Sequence, residues 1–580
     1  MKKEEHLAHM RHSLAHLLGA SVMELYPGSK LTLGPAIDNG FYYDIDVAGK
    51  ITDSDLGKIE KKMHELLKTW HSFEKKIVSK EEAKKIFAGN EYKEELIDDI
   101  EKKGEDITLY TSGNFTDLCR GGHVEDPSKE IATGSFKLDR IAGAYWRGDE
   151  KNKMLTRIYG LAFNNKSELE AYIAQQEEAK KRDHRKIGKE MGLFVFSDLV
   201  GPGLPLWTPN GTIIRELLND YVWELRKEKG YQKVCIPHIT KKELYETSGH
   251  WAKYADDLFK IHTREDHLYA MKPMNCPHHT QIFASEPKSY RDMPKRYAET
   301  TMVYRDEQSG ELSGLSRVLS ITQDDAHVFC RENQIEDEAL AIWDIIEKFY
   351  GTFGFDLQVR FSRHDPQTPE KYMGDEEVWI KAEKALENIM KSKKVEWIDG
   401  LGEAAFYGPK IDFIAHDSIG RVLQVATIQL DFNQPKNFGL VFTNEKGEKE
   451  GVVMIHAAIM GSIERFMSTL IEHLAGVFPT WLSPIQVAII PVKDIHTEET
   501  DKIVRELKNA DIRIDHFDYN DSLGKRIHSA KKMNTPYIIV YGDKEKESGV
   551  LTIEKIDGTK IQMKLDQLIS HLKLEIKNRS

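Results

Sequence analysis

Histidine, cysteine and aspartate residues in the N-terminal part of this sequence have the types and spacing needed to bind a metal or transfer protons. "HSLAH" places His12 and His16 four residues apart, on one face of a helix. "DLCRGGH" adds Asp117, Cys119 and His123. The HxxxH and CxxxH spacings are typical of metal ligands, and imidazole also transfers protons near neutral pH. The spacing leaves both chemistries open.

A second group lies in three separate segments of the middle of the chain. Cys276 is in "MKPMNCPHHT", His327 in "TQDDAHVFC" and His456 in "MIHAAIMGS". Taken alone, Cys276 is a small buried residue, half of a redox pair or one metal ligand. Together the three would form a zinc site with one open position, the form used when zinc must contact a substrate. No local spacing links them.

Arginine residues in the same region are candidates for phosphate binding. "MVYRDEQSGELSGLSR" contains Arg305 and Arg317, separated by a flexible Gly/Ser-containing loop that could fold over a phosphorylated ligand. Arg465 lies in "GSIERF". Guanidinium groups bind phosphate in bidentate fashion, although each of these arginines taken alone is more often part of a surface ion pair.

Composition indicates a multidomain protein of the cytoplasm. The 580 residues exceed what one core accommodates and predict three to five domains. Four cysteines are too few for a disulfide framework, and we find neither a signal core nor an apolar run that would span a membrane. A net charge of −12 argues against non-specific coating of nucleic acid but allows local basic surfaces. "KKRDHRK" (180–186) is one such cluster, or else the solvated face of a helix.

Hydrophobic patterns divide the chain into four segments, which we place at 1–165, 166–190, 191–482 and 483–580. The first mixes short strands with charged helices. The second, long and charged, is typical of an exposed connecting helix. A Gly/Pro-dense turn opens the third, where strand-like runs predict an antiparallel sheet flanked by helices. In the fourth, strands and helices alternate, which predicts a small α/β domain.

Several of these strings together resemble a known family. "RDE" with its loop and "GSIERF" resemble motifs 2 and 3 of class II aminoacyl-tRNA synthetases, and the helix leading to Pro237 resembles motif 1. "MKPMNCP", "TQDDAHVFC", "AFYGPKIDF", "TIQLDF" and "GSIERF" occur in the order found in the threonyl-tRNA synthetase family, and the resemblance extends over about residues 8–575. It implies an α+β multidomain fold with a class II antiparallel-sheet catalytic core. The four segments would be an editing domain, a connecting helix, the catalytic domain and an α/β anticodon-binding domain.

The resemblance also implies the chemistry of the catalytic domain. ATP with Mg2+ and threonine would give threonyl-adenylate, and the threonyl group would pass to the 3′ end of tRNA(Thr), in a homodimer with one Zn2+ per subunit. The zinc ligands would be Cys276, His327 and His456. The threonine-binding residues would be Asp325, Gln323, Tyr407 and Gln429. The ATP site would contain Arg305, Glu307, Arg317, Lys410, Gln424 and Arg465.

Serine shares the amino and hydroxyl groups of threonine, so the resemblance implies a second, hydrolytic site. That editing site would comprise His12, His16, Lys93, Asp117, Cys119 and His123. We favour a hydrolytic site without metal over a zinc site like that of the similar alanyl-tRNA synthetase domain, or a purely structural polar cluster. In the C-terminal domain, Asn520 and Glu545 are the expected anticodon contacts. The alternative for that domain is a protein-interaction module.

Departures from the family pattern affect mainly nucleotide contacts. "YRDE" stands for the usual "HRNE", "CPHH" for "CPGH", and "HAAIMGS" for "HRAILGS". Leu319 and Glu554 occupy positions where relatives carry arginine. The usual N-terminal ubiquitin-like domain is expected to be absent, because the first editing helix would start almost at Met1. The rival hypotheses are a relative that charges proline or serine and a non-catalytic RNA-binding regulator.

Overall fold

The computed structural model describes residues 3–417 and 420–580. The chain divides into two compact units, Met1–Glu178 and Ala179–Ser580. The first helix, predicted to start almost at Met1, begins at Lys3 among the described residues.

The first unit combines two sheets with helices. Its helices are α1 (Lys3–Leu25), α2 (Leu56–Leu67), α3 (Lys80–Ile86), α4 (Glu91–Lys102), α5 (Pro127–Glu130) and the start of α6 (Lys166–Arg182). Its strands are β1 (Lys30–Leu31), β2 (Ala36–Ile37), β3 (Gly40–Asp46), β4 (Glu74–Ile77), β5 (Thr108–Ser112), β6 (Phe115–Leu118), β7 (Phe136–Tyr145) and β8 (Met154–Ala162).

Helix α1 forms the centre of this unit. It packs on α2 and on the sheet ordered β1-β3-β8-β7, with β2 paired to β3. Leu14, Leu17 and Leu18 of α1 are completely or almost completely buried, at a spacing that places them on one side of the helix. The smaller sheet has the order β4-β5-β6. Because β6 ends at Leu118, it delivers the "DLCRGGH" segment to α1.

The second unit contains the remaining elements. Its helices are α7 (His184–Glu190), α8 (Pro209–Glu228), α9 (Lys242–Thr247), α10 (His250–Lys253), α11 (Cys276–Ala284), α12 (Ile335–Thr352), α13 (Glu376–Ser392), α14 (Asn433–Asn437), α15 (Ile463–His473), α16 (Thr497–Asn509), α17 (Leu523–Lys532), α18 (Asp543–Ser548) and α19 (Leu565–Asn578). Its strands are β9 (Phe194–Val195), β10 (Leu206–Trp207), β11 (Gln232–Lys233), β12 (Ile239–Lys241), β13 (Lys260–His262), β14 (Leu268–Met271), β15 (Lys295–Tyr304), β16 (Ser320–Cys330), β17 (Asp356–Arg363), β18 (Trp397–Leu401), β19 (Lys410–His416), β20 (Val422–Asp431), β21 (Val441–Thr443), β22 (Lys449–Gly451), β23 (Val453–Ala458), β24 (Val487–Pro491), β25 (Ile514–His516), β26 (Tyr537–Tyr541), β27 (Leu551–Lys555) and β28 (Lys560–Met563).

An eight-stranded sheet is the main layer of the second unit. Its order is β11-β15-β16-β23-β20-β19-β17-β18, and its pairs are antiparallel except at the two edges. Helix α12 packs against β17, β20 and β23, and α13 against β19 and β20. Apolar residues of these helices and strands form one continuous core. The predicted antiparallel core flanked by helices is confirmed.

The C-terminal sheet has the order β25-β24-β26-β27-β28. β24 pairs in parallel with β25 and β26, whereas β27 and β28 are antiparallel additions. The predicted alternation of strands and helices is therefore present, and the chain as a whole has the predicted α+β multidomain fold.

The segment predicted as one connecting helix forms two helices. α6 ends at Arg182 and α7 begins at His184, because the Asp183 backbone is not helical (ψ 118°) and its side chain caps α7 by accepting a hydrogen bond from the Arg185 amide. His184 is buried rather than solvated.

Among the described residues, none of the helices has the length and apolar character needed to cross a bilayer.

A buried ion pair joins helix α8 to the eight-stranded sheet. Arg226 is 2% exposed and pairs with Asp324 of β16, which is fully buried and also accepts hydrogen bonds from the Ile459 and Met460 amides. These bonds fix the turn between β23 and α15.

Replacement of Asp324 by alanine is expected to lower the free energy of unfolding by about 3–5 kcal/mol, because Arg226 would remain buried without a partner. Urea denaturation followed by circular dichroism measures the change. Asp344→Ala is the control, because Asp344 pairs with Lys229 at the end of the same helix but in solvent. Equal shifts of the two midpoints would contradict the prediction.

Candidate functional site

The register of adjacent strands brings predicted residues into one row across the sheet. His327 of β16 lies opposite His456 of β23, His456 lies opposite Gln429 of β20, and Gln429 lies opposite Lys410 of β19. Residues directly opposite in a sheet share a face. Asp325 and Gln323 are on that same face of β16, because side chains alternate along a strand.

Cys276, His327 and His456 meet at this face. One side-chain donor atom from each lies within 4.8 Å of the others, and all three residues are at most 5% exposed. Cys276 is the first residue of α11, which delivers the thiol from above the sheet. Residues that are 51 and 129 positions apart along the chain are thus brought together by helix placement and strand register.

In each of the two imidazole rings, one nitrogen contacts a residue outside the three-residue group. The other nitrogen of each ring faces the other ring. His456 Nε2 lies 2.9 Å from Asp431 Oδ2, and His327 Nδ1 lies 2.7 Å from His279 Nδ1. The remaining atoms, His327 Nε2 and His456 Nδ1, are 3.1 Å apart. A carboxylate or similar partner on the outer nitrogen is the usual support of a metal-bound histidine. The donor set therefore fits zinc.

The charges around Cys276 also fit a cation. Burial raises the pKa of Cys276 well above its usual value, and the carboxylates of Asp325 and Asp431 raise it further. Burial lowers the pKa of His327 well below its usual value, followed by the effect of His456. A neutral imidazole and an added positive charge that lowers the thiol pKa are what zinc binding requires.

The predicted threonine-binding residues surround this centre. Asp325 is buried, and its Oδ2 accepts a hydrogen bond from Asn275 at 3.0 Å. The Tyr407 ring stacks on His456 with centroids 4.7 Å apart, and its hydroxyl donates to Gln429 Oε1 at 2.5 Å. Gln429 thus links the metal-ligand group to the cavity beside it.

That cavity has a volume of about 610 Å³. It is open on one side and is bounded by β16, β20, the loop after β15 and the start of α15. The predicted residues that line it are Arg305, Glu307, Arg317, Gln323, Gln424, Gln429 and Arg465. The structure therefore brings both halves of the predicted site, metal ligands and arginines, to one side of the sheet.

The polar groups of the cavity are partly engaged with each other. Arg317 pairs with Glu307 and Glu311 at 2.5 Å and 2.9 Å, and Arg305 Nε is buried without a hydrogen-bond partner. Lys410 lies at the border, where its Nζ is 3.0 Å from the buried Asp412. Gln424 Nε2 donates to the same carboxylate at 2.9 Å.

The loop that carries Arg317 is less free than the sequence suggested. It was predicted to be flexible because of its glycine and serine residues. Leu315 is fully buried in the main core, and the Leu319 amide donates to Gly203. The segment after the 3-10 turn Ser309–Glu311 is thus anchored.

The second predicted group also assembles, in the first unit. Donor atoms of His12, His16, Cys119 and His123 lie within 4.8 Å of one another. Cys119 Sγ is 3.4 Å from both His12 Nε2 and His123 Nε2. The ring of Phe73 stacks on His123 with centroids 4.1 Å apart and restricts its orientation.

Asp117 connects this group to a lysine. Its carboxylate lies 3.1 Å from His16 Nδ1 and 2.5 Å from Lys93 Nζ, and it accepts a hydrogen bond from Tyr43. Lys93, Asp117 and Tyr43 are each at most 2% exposed.

These contacts raise the pKa of one member of the group and lower the pKa values of two others. Burial lowers the pKa of His16, but hydrogen bonds and charges of Asp117 and Cys119 raise it more, to about 9. Burial raises the pKa of Cys119, but hydrogen bonds from His12, His123 and His16 lower it more, to about 3. Lys93 and His16 likewise overcome burial and hold the pKa of Asp117 below its usual range. At neutral pH the group contains a thiolate next to an imidazolium.

A cavity of about 480 Å³ opens onto these residues. His12, His16, Lys93, Asp117 and Cys119 line it, whereas His123 does not. Residues 32–35, two tyrosines of β3, and residues of α4 and of the segment after it form other walls. The site can therefore admit a small molecule to the thiolate and imidazolium groups.

The two predicted anticodon residues have different environments. Asn520 is exposed in the loop before α17, and its amide donates to Asp518 at 2.7 Å. Glu545 is buried; one oxygen accepts from the Gly542 amide and the other from Thr552. Glu554 pairs with Lys531 at 2.5 Å. Only Asn520 is presented to solvent.

Three residues with contacts in these sites were not singled out in the sequence. Tyr43 occupies a core-facing position of β3, where a tyrosine needs a polar partner. Asp431 ends an apolar strand, and His279 follows the "CPH" string. A carboxylate at a buried strand end and a second histidine beside the cysteine were the available signals.

Family models match three parts of the chain. The model described as tRNA synthetase class II core domain (G, H, P, S and T) matches residues 259–474. The anticodon binding domain model matches 486–575, and the second additional domain of threonyl and alanyl tRNA synthetases matches 107–159. With the antiparallel sheet and its arginine-lined cavity, these matches define a class II aminoacyl-tRNA synthetase.

Individual relatives narrow the assignment. A threonine--tRNA ligase from Rubrobacter xylanophilus is 46% identical over 548 residues, covering 94% of this chain and 85% of the relative. One from Parabacteroides distasonis is 46% identical over 572 residues, covering 97% and 87%. The crystal structure of the RNA binding domain of threonyl-tRNA synthetase from Cryptosporidium parvum superimposes with a TM-score of 0.65 at 33% identity, over 68% of this chain and 98% of that one. The chain belongs to the threonine--tRNA ligase family.

The low pKa of Cys119 predicts a reactive thiol over a wide pH range. Its alkylation by iodoacetamide is expected to vary less than twofold from pH 5 to 8, because the thiolate is lost only as pH falls through about 3. In the urea-unfolded chain the rate should fall about tenfold per pH unit below the ordinary thiol pKa. Mass spectrometry of the Cys119 peptide measures both.

The pKa shifts of Cys119 and His16 also determine in which direction the stability of the folded protein changes with pH. The stabilisation from the thiolate is present above its ordinary pKa and is lost as pH falls through about 3. That from His16 is present below its ordinary pKa and is lost as pH rises through about 9. A steep rise of Cys119 alkylation between pH 5 and 8 in the folded protein would contradict this charge arrangement.

Proposed function

We propose that the chain is a threonine--tRNA ligase. It joins threonine to ATP with Mg2+, forming threonyl-adenylate and pyrophosphate, and then transfers the threonyl group to the 3′-terminal ribose of tRNA(Thr). The observation that carries this proposal is the convergence of Cys276, His327 and His456 beside an arginine-lined cavity. A small amino acid held at the first would lie next to a nucleotide held in the second.

Cys276, His327 and His456 hold the zinc ion in this proposal, one per subunit. Bound there, zinc would offer its open coordination positions to the amino and hydroxyl groups of threonine. Valine has the same shape but lacks the hydroxyl, and a hydrophobic pocket rejects such an isostere by only about 10²-fold. Asp325, 3.7 Å from His327 Nε2, accepts the proton of the threonine hydroxyl.

The remaining residues orient the two substrates. Gln323, Tyr407 and Gln429 surround threonine. Arg305 stabilises the charge that develops on the α-phosphate when the threonine carboxylate attacks it, and Arg465 binds the γ-phosphate. The buried, unpaired Nε of Arg305 and the exposed side chain of Arg465 support these roles. Glu307 contacts adenine, while Arg317, Lys410 and Gln424 border the nucleotide.

The second cavity hydrolyses seryl-tRNA(Thr) in this proposal. Serine satisfies every polar contact that threonine makes, and the missing methyl group changes binding by only about 1–3 kcal/mol. His12, His16, Lys93, Asp117, Cys119 and His123 orient and activate water against the seryl ester. Lys93 and the protonated His16 supply positive charge near the developing oxyanion.

The charge of this group favours hydrolysis without a metal. The Cys119 pKa is low because His12, His123 and His16 donate hydrogen bonds to the thiolate and because His16, which Asp117 keeps protonated, adds a positive charge. Cys276, in contrast, faces two carboxylates that raise its pKa further, and His327 beside it has a lowered pKa. The short distances among the four donors of the editing group also fit zinc, so metal content is part of its test.

The proposal also covers the C-terminal domain, the oligomeric state and the compartment of the enzyme. The C-terminal domain binds the anticodon, with Asn520 exposed for contact and Glu545 supporting its helix. The enzyme acts as a homodimer in the cytoplasm, and the four free cysteines fit a reducing compartment. Sedimentation at varied concentration tests the dimer.

Cys276→Ala is expected to abolish zinc binding and threonine selectivity together, because a three-ligand site loses its anionic ligand. Bound zinc should fall from about one per chain to nearly none. In pyrophosphate exchange, the preference for threonine over valine should fall to about 10²-fold or less. Elemental analysis of the same preparations gives the metal content.

The matched control is Cys330→Ala, another buried thiol at the end of β16. It should keep both zinc and selectivity. The proposed function fails if the unchanged chain shows no threonine-dependent exchange, or if Cys276→Ala retains full zinc and full selectivity.

Asp117→Asn is expected to slow deacylation of seryl-tRNA(Thr) by about 10²–10⁴-fold, because His16 loses the carboxylate that keeps it protonated and Lys93 loses the ion-pair partner that orients it. Threonine activation should not change. Asp106→Asn is the control, an exposed carboxylate lining the same cavity. Unchanged deacylation in Asp117→Asn would overturn the editing role, and stoichiometric zinc at these residues would overturn its metal-free form.

A further inference from the structure

His184, in the basic "KKRDHRK" segment, has both ring nitrogens engaged although nothing in the proposed reaction uses it. It is 4% exposed and begins helix α7. Its Nε2 accepts a hydrogen bond from the Leu315 amide at 3.0 Å, and its Nδ1 lies 2.6 Å from Glu472 Oε1. Because Nε2 is an acceptor, the ring proton is on Nδ1 and is donated to Glu472.

The two partners of His184 belong to elements that bind ATP in the proposed function. Leu315 lies two residues before Arg317, in the loop after β15. Glu472 lies near the end of α15, the helix whose first turn carries Arg465. His184 therefore connects the loop and the helix that supply two of the proposed phosphate-binding arginines.

The loop is shaped for this contact. Gly314 has φ +50°, and a Cβ added there would lie 2.4 Å from His184 Nε2. Only glycine permits the loop backbone to approach the ring so closely. Ser316 Oγ, 3.1 Å from Ser468 Oγ, adds a second contact between the loop and α15. Leu315 completes the anchor by burying its side chain in the core.

A metal is not the occupant that these residues favour. Asp183, His184 and Glu472 are close enough together to resemble a ligand group, but each is already paired. Glu472 contacts Arg421 as well as His184, and Asp183 pairs with Arg185 at 2.6 Å. The bonds of His184 leave it no lone pair for a cation.

We propose that His184 is a positioning residue that holds the ATP loop against α15, so that Arg317 stands at the nucleotide cavity before ATP arrives. This inference rests on the proposed function. A loop that is ordered before ATP binds lowers the entropy cost of binding. Loss of the His184 contacts should therefore weaken the affinity for ATP. The proposed threonine contacts, which lie on β16, on β20 and in the segment before β19, are unaffected.

Two variants separate the two hydrogen bonds of the ring. His184→Asn keeps a donor at the Nδ1 position but loses the acceptor for the Leu315 amide. His184→Gln places its Oε1 near the Nε2 position and keeps the acceptor. We expect His184→Asn to raise KM for ATP about three- to tenfold, the range for one lost hydrogen bond. KM for threonine should stay within twofold, and His184→Gln should restore most of the ATP affinity.

Gly314→Ala tests the same contact from the loop. It should raise KM for ATP at least as much as His184→Asn, because the new methyl group displaces the loop from the ring. Gly310→Ala is the control in the same loop, since a Cβ there meets no atom within 4 Å. Hydrogen exchange of the 312–319 peptide should accelerate in His184→Asn and Gly314→Ala only.

The outcomes distinguish this inference from the proposed function. Absence of threonine-dependent pyrophosphate exchange in the unchanged enzyme would refute the proposed function. If that exchange is present, equal kinetics for the unchanged enzyme, His184→Asn and Gly314→Ala would overturn the positioning role. A parallel loss of activity in His184→Asn and His184→Gln, with both KM values raised and exchange increased throughout the unit, would overturn it in favour of general structural support.

Discussion

The antiparallel register of β16, β23 and β20 is the constraint on which the catalytic site depends. It places His327, His456 and Gln429 side by side on one face. A shift of one residue would turn each of these side chains to the opposite face and into the apolar core. That core, formed against α12 and α13, fixes the register because it accepts only the apolar face of each strand. The chemistry is thus placed by packing on the other side of the sheet.

The two cysteine–histidine groups contain the same residue types, but the charges around their cysteines differ. Cys119 has an imidazolium beside it because Asp117, itself held ionised by Lys93, stabilises protonated His16. Cys276 faces Asp325 and Asp431, and burial keeps His327 neutral. In the first group positive charge comes from a histidine of the group itself, whereas in the second the proposed zinc would supply it. The difference lies in the second layer of contacts, which the spacing of ligands in the sequence does not reveal.

The sequence predicted the fold class and the gathering of most site residues, because the order of the motif strings resembles that of a known family whose fold brings them together. It did not predict contacts made through distant partners. Tyr43 bonds Asp117 across 74 residues, and His184 bonds Glu472 across 288. The loop before Arg317 was expected to be flexible from its glycine, but Gly314 permits a close contact instead. Glu545 was expected to face a ligand, yet its carboxylate is used within its own domain.

The two proposed sites solve different halves of one recognition problem, and this explains why they need opposite electrostatics. Excluding valine requires a group that binds the hydroxyl of threonine, and in the proposed site a zinc ion held by Cys276, His327 and His456 would provide it. Binding of the hydroxyl group cannot exclude serine, because serine carries the same polar groups as threonine. It requires hydrolysis of an ester in a pocket that distinguishes the two products by size. In the proposed editing site the protonated His16 and the neighbouring Lys93 would stabilise the developing negative charge.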